Sequence, residues 1–184
     1  MAKEKKFRRP ILEGKKALVI GIANEDSIAY GCARAFHELG AEVAITYLND
    51  KAKPHVQPLA EAVGARIFAP LDVTRPGELE ALFERIREEW GELDIVVHSI
   101  ASAKKEDIKG KLIDCSADGF AFAMDVSVHS FIRMAKLAAP LMKNGGTMFA
   151  MSYHGANEVV PNYNVMRPVK AALEAACRYL AFEL

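Results

Sequence analysis

Five short apolar runs, each the length of a β-strand and most followed by a stretch with helical periodicity, constrain this chain more than any other feature. KALVIGI (16–22), EVAITY (42–47), RIFAPLDV (66–73), LDIVVHS (93–99) and TMFAMSY (147–153) are nearly continuous in apolar character and rich in β-branched residues. Runs of that kind suit strands covered on both faces. Between them, Ile28, Cys32, Phe36 and Leu39 recur at helical spacing within Ser27–Leu39, closed by Gly40. Lys51–Val63 reads as a second helix ended by Gly64. Thr74 and Pro76 open a third, striped by Leu79, Leu82, Phe83, Ile86 and Trp90. Residues 101–117 read as irregular, Asp118–Met142 as one long amphipathic segment, and a final helix is expected from near Asn162. The alternation predicts an α/β, Rossmann-like doubly wound parallel sheet of strand order 3-2-1-4-5. One domain spans 1–184, with residues 1–11 as a flexible basic arm.

Composition narrows the function classes. A chain of 184 residues, 51% hydrophobic and 26% charged, can bury the core of one domain. Its 24 basic and 24 acidic residues balance, so no global field attracts nucleic acid. No apolar run reaches membrane length, and the head MAKEKKFRRP is not followed by a signal core. A cytoplasmic protein without membrane or nucleic-acid partners is expected. Cys32, Cys115 and Cys177 lack metal-ligand spacing and read as core or free thiols, with no metal site.

In a sheet of this order, ligands bind beyond the carboxyl ends of the strands. The first such loop, GIANEDSIA (21–29), has a single glycine, yet it feeds a helix N-terminus whose free amides suit a pyrophosphate. Ser27 stands where it could cap that helix or bond a phosphate. Asp72 and Val73 follow the third run, and Ser99 and Ile100 follow the fourth, where an adenine and a ribose would lie. Asp72 also fits an ordinary capping role. After the fifth run come Tyr153, Tyr163 and Lys170. On a helix from Asn162, Tyr163 and Lys170 would be separated by about 700°, placing phenol and ammonium on one face. That arrangement predicts a depressed phenol pKa, suited to stabilising a developing oxyanion.

The segments GIANEDSIAYGCA, TYLNDKAK, PLDV, VVHSIA, MDVS, SFIRMAK, MSYHGA and NYNVM followed by VKAALEA resemble the divergent short-chain dehydrogenase/reductase family typified by bacterial enoyl-acyl-carrier-protein reductases. The resemblance runs from about Leu12 to the last residue. Its discriminating marks are the Tyr-x6-Lys spacing and the single-glycine loop, where ordinary members use Tyr-x3-Lys and TGxxxGxG. It implies NADH-dependent reduction of the trans-2 double bond of an enoyl thioester carried on acyl carrier protein, in fatty acid biosynthesis, by a homo-oligomer that is tetrameric in the family. Tyr163 would be the catalytic tyrosine, Tyr153 the second active-site tyrosine, and Lys170 the ligand of the nicotinamide ribose. Gly21, Ser27 and Ile28 would meet the pyrophosphate end, Leu48 the adenosine region, Asp72 and Val73 the adenine, and Ile100 the nicotinamide half. Ala103 falls at a substrate-lining position. No acidic residue or arginine ends the second strand, so residue type leaves NADPH open beside NADH.

Departures from the family pattern set further expectations. Arg167 stands where the family usually has glycine, and its side chain is expected to crowd the catalytic tyrosine. It also precedes Pro168, which disfavours the helical conformation. Ser102 and His154 replace bulkier or more apolar residues and would alter the acyl pocket. The last helix reaches Leu184 without a closing glycine or proline, and five strands are counted where the family's fold uses six or seven. The expectation is a domain incomplete at its C-terminus. An alternative reading is thus a catalytically impaired dinucleotide-binding fragment or decayed paralogue. A carbonyl reductase of small ketones is disfavoured by the Tyr-x6-Lys spacing.

Overall fold

A computed structural model describes residues 10–184. Its frame is a five-stranded parallel sheet ordered β3-β2-β1-β4-β5, as expected. The strands are β1 (Lys16–Ile20), β2 (Glu42–Tyr47), β3 (Ile67–Pro70), β4 (Ile95–His98) and β5 (Thr147–Ala150). Register aligns the carboxyl ends: Ile20 pairs with His98, Tyr47 with Pro70, and His98 with Ala150. Five chain exits therefore open along one rim, which is what places the site. The expected runs extend one to three residues past four of the five strand ends, because apolar character continues into the buried rim loops, as at Ile22, Leu71 and Val73. The expected basic arm falls largely on residues 1–9, outside the described residues.

Alternate side chains of the central strands serve two cores. Ala17, Val19, Ile45 and Val97 face α1 (Ile28–Glu38) and α2 (Lys53–Ala62). Leu18, Ile20 and Val96 face α3 (Glu78–Trp90) and α6 (Ser130–Ala138). The stripe Leu79, Leu82, Phe83, Ile86 and Trp90 is wholly buried. Truncating Phe83 to alanine would cost about 3–5 kcal/mol. The helix begins later than expected because Asp72 folds Thr74 into a turn, accepting from its N–H (3.0 Å) and hydroxyl (2.6 Å), and Gly77 then adopts φ 86°.

Three expected elements differ. Residues 101–117 contain α4 (Lys105–Lys109) and a 3-10 turn at Leu112–Asp114. The long segment from Asp118 is divided into α5 (Ala117–Met124), a π-turn (Asp125–His129) and α6. The final helix, α7, spans Met166–Glu183, so Tyr163 lies in the loop before it rather than on it. Left-handed backbone at Asn162 (φ 65°) and Asn164 (φ 40°) is incompatible with an earlier start. Pro168 falls in the first turn of α7, where its missing N–H leaves no helical bond unmade. A third apolar cluster, including Ala123, Phe131, Val165, Val169 and Leu173, seats α7 against α5 and α6.

Candidate active site

A cleft of about 390 Å³ lies along the rim. Gly21, Leu48, Asp72, Val73, Ser99 and Ile100 line it, six of the residues expected from the sequence. Ser102, expected to alter the acyl pocket, joins them, as do Thr46, Ala101, Phe122 and Val126, which nothing in their residue types marked out beforehand. Ser27, Ile28 and Ala103 are not among its lining residues.

The single glycine of the first loop has a packing role. Gly21 adopts φ +105°, and a Cβ there would lie 2.1 Å from the Ser99 carbonyl oxygen. Only glycine lets the exits of β1 and β4 approach so closely. Ser27 occupies the N-cap position of α1, but its side chain does not cap the helix. Its Oγ accepts from the N–H groups of Ala23 and Asn24, both at 3.0 Å, and donates to Asn24 Oδ1 at 3.1 Å. The hydroxyl thus folds the loop, while the first-turn amides of α1 lack intrahelical acceptors by geometry. Asp72 does not cap α3, whose N-cap is Gly77; its carboxylate instead folds the turn at Thr74. Its own N–H donates to Glu78 Oε2 at 2.7 Å.

The floor of the cleft is braced by the π-turn. Ser127 is fully buried there, and its Oγ accepts from the Ser102 N–H at 3.1 Å. Extra residues in a helix re-aim the side chains that follow, and such turns recur at functional sites. One turn later the Ser130 hydroxyl donates to the Val126 carbonyl (2.7 Å), so it accepts from His98 Nε2 at 2.8 Å. His98 is fully buried at the end of β4. Burial first, and the nearby Lys170 ammonium second, push its pKa down to about 4.

Tyr153, Tyr163 and Lys170 converge on the exit of β5, Met151–Gly155. The two phenol rings meet edge to face with centroids 4.8 Å apart. Gly155 makes this possible: a Cβ on it would stand 2.8 Å from a ring carbon of each tyrosine. Tyr153 is exposed and also meets the His154 ring at 4.4 Å between centroids, tilted by 60°. Lys170 is buried on α7 and donates from Nζ to the Met151 carbonyl at 2.5 Å. Ser152 ties the same exit to α7 through Glu174 (2.6 Å). Ala103 packs, half-buried, on the apolar cluster that also carries Tyr163.

The expected electrostatics are reversed. Burial, and then the charge of Tyr153, push the Tyr163 phenol above its ordinary pKa. Burial lowers that of Lys170. The ammonium is directed to a backbone carbonyl, and Tyr163 is off the helix that was to align the pair. A phenol with a raised pKa stays protonated at neutral pH and can donate a hydrogen bond to an oxygen gaining charge. The expected crowding by Arg167 is also overturned. Its guanidinium donates to the Glu158 and Asn157 carbonyls, both at 3.2 Å, and is spent on that loop.

Among the described residues, no three His, Cys, Asp or Glu side chains are grouped to hold a metal, and no helix is long and apolar enough to cross a membrane.

These features are those of a known group of proteins. A sequence model of the enoyl-(acyl carrier protein) reductase family matches residues 21–184. The NADH enoyl-acyl-carrier-protein reductase of Aquifex aeolicus is 47% identical over 175 residues, covering 95% of this chain and 65% of the relative. One from Rhizobium meliloti is 44% identical over 174 residues, covering 95% and 64%. The chain thus spans slightly less than two thirds of these relatives' length. Among solved structures, the Anaplasma phagocytophilum reductase in complex with NAD superposes with a TM-score of 0.93 at 45% identity, over 97% of this chain and 68% of that one. The Aquifex aeolicus enzyme gives 0.91 at 47%, over 94% and 69%. From its sequence and its fold alike, the chain belongs to the enoyl-(acyl carrier protein) reductase family.

Proposed function

We propose that this chain carries the dinucleotide cleft and the catalytic tyrosines of an enoyl-acyl-carrier-protein reductase, which reduces the trans-2 double bond of an enoyl thioester at the expense of NADH. The observation that carries this reading is the convergence of Tyr153, Tyr163 and Lys170 on the exit of β5, beside a cleft along the same rim.

The residues present fit a nicotinamide dinucleotide. The bare Cα of Gly21 and the open first turn of α1, with Ser27 and Ile28, suit a pyrophosphate. Leu48, exposed at the end of β2, would meet the adenosine, and Asp72 and Val73 the adenine. Ser99 and Ile100 would face the nicotinamide half. Of the three N–H donors of Lys170, the Met151 carbonyl takes one, so donors remain for the hydroxyls of a ribose. The dinucleotide, when bound, supplies hydride to the β-carbon of the substrate. Tyr163 donates a hydrogen bond to the thioester oxygen, which gains charge as the enolate forms. Its raised pKa keeps that proton in place until then. Tyr153 packs the ring in position, and Ala103 lines the acyl path.

A homo-oligomer is proposed on the family resemblance. The remaining expectations, a carrier-protein-bound substrate and a cytoplasmic setting, follow from the family. Fluorescence titration with NADH, followed by crotonyl-CoA in the same cuvette, tests the reading. Binding with NADH oxidation supports it, and binding without oxidation points to a dinucleotide-binding fragment. NADPH titrated in parallel decides the cofactor.

A further inference from the structure

Tyr163 stands between two asparagines in left-handed backbone, Asn162 and Asn164. Left-handed non-glycine residues are strained and persist where surrounding contacts fix them. At Asn164 those contacts reach far along the chain: its side-chain Nδ2 donates to the carbonyls of both Ile108 and Gly110. Both carbonyls lie at the C-terminal end of α4, where a helix has no N–H donors of its own for its last carbonyls. The amide therefore closes that end of α4 while holding the tyrosine turn.

The segment it holds is itself a closed unit. The Asp107 carboxylate accepts from the Ser116 N–H (2.9 Å) and hydroxyl (3.3 Å). Ser116 Oγ accepts from Gly119 N–H at 3.0 Å, anchoring the unit to α5. A Cβ at Gly119 would fall 1.7 Å from Asp107 Oδ2, so the junction has no slack. Residues 105–116 thus form a stapled flap, joined to the tyrosine turn by the Asn164 amide.

We propose that Asn164 is a positioning residue, which fixes the presentation of Tyr163 by tying its turn to the 105–116 flap. The inference rests on the reading of Tyr163 as the hydrogen-bond donor to substrate. Flap and tyrosine then form one wall of the acyl site.

Two substitutions separate the tether from the backbone. Asn164→Gly keeps the left-handed turn and removes the amide, while Asn164→Asp keeps the shape and removes both donors. In each, tryptic cleavage after Lys109 and Lys111 is expected to rise about tenfold, tracking the opened flap. Nitration of Tyr163 by tetranitromethane, scored by peptide mass against Tyr179, is expected to rise about fivefold with NADH affinity kept within twofold. Turnover of crotonyl-CoA should fall about tenfold or more in kcat with KM for NADH held. Parent-like nitration of Tyr163 in both variants overturns the proposal, whatever the cleavage does. So does a rise matched by Tyr179, which would mark general destabilisation. A parent chain without turnover refutes the catalytic reading alone, since cleavage and nitration still decide the tether.

Discussion

Tyr153 and Tyr163 meet with ring planes at 62° and centroids 4.8 Å apart, across the bare Cα of Gly155. One phenol is exposed and the other half-buried, so the contact holds the inner ring without closing it off from substrate.

Gly155→Ala puts a methyl group into both rings and should part them. Turnover of crotonyl-CoA is expected to fall about a hundredfold, with stability lower by about 1–3 kcal/mol. NADH affinity should be unchanged within twofold, because the cleft residues lie elsewhere on the rim. Steady-state kinetics beside a fluorescence titration checks this, and a variant with parent-like kcat would refute the role given to the ring contact.

Gly21→Ala attacks the other half of the site. The new Cβ would strike the Ser99 carbonyl and force an alanine into φ +105°. A loss of about 3 kcal/mol is expected, read from the urea midpoint of the fluorescence of Trp90, the sole tryptophan. NADH affinity should fall with it.

Arg167→Gly should restore nothing. The guanidinium is bound to the Asn157 and Glu158 carbonyls, so its removal frees no space at the phenol. The expected result is unchanged or lower kcat and a stability loss of about 1 kcal/mol from the two hydrogen bonds and a glycine in the helix. A gain in turnover above tenfold would reinstate the crowded site.

His98 predicts acid sensitivity. It is neutral in the folded chain down to about pH 4, against an ordinary value of 6.5. An unfolded chain binds that proton first, so the contribution is fully present above pH 6.5 and is lost as pH falls through 4. Between about pH 7.5 and pH 5 this amounts to roughly 2 kcal/mol. His98→Gln should flatten the difference in urea midpoint by that amount. An unchanged pH dependence would mean the imidazole does not resist its proton.

The strands and their order were legible because burial on both faces leaves a continuous apolar signature, and right-handed crossovers allow few orders. Six cleft residues were legible for the same reason, since they follow strands. The start of α7 was not. Val165, Val169 and Leu173 keep helical spacing up to its first turn, while two asparagines reverse their backbone with no mark in the periodicity; Pro168 was the available signal. Tyr163 and Lys170 were found through their spacing, although the geometry drawn from it, one helical face, does not hold. They meet through the exit of β5 instead. Asn164 and Ser127 act through contacts between segments far apart in sequence, and Gly155 through the close packing of two rings, none of which local patterns record.

The π-turn at Asp125–His129 has a consequence for how the chain can vary. Deleting one residue there to give an uninterrupted α-helix would rotate everything beyond it by about 100°. Phe131 and Met134 would swing off the core, Ser130 would leave His98, and Ser127 would lose the Ser102 amide. Substitutions within this segment can be absorbed locally, but a change in its length cannot. Its residue count is a more rigid inheritance than its spelling.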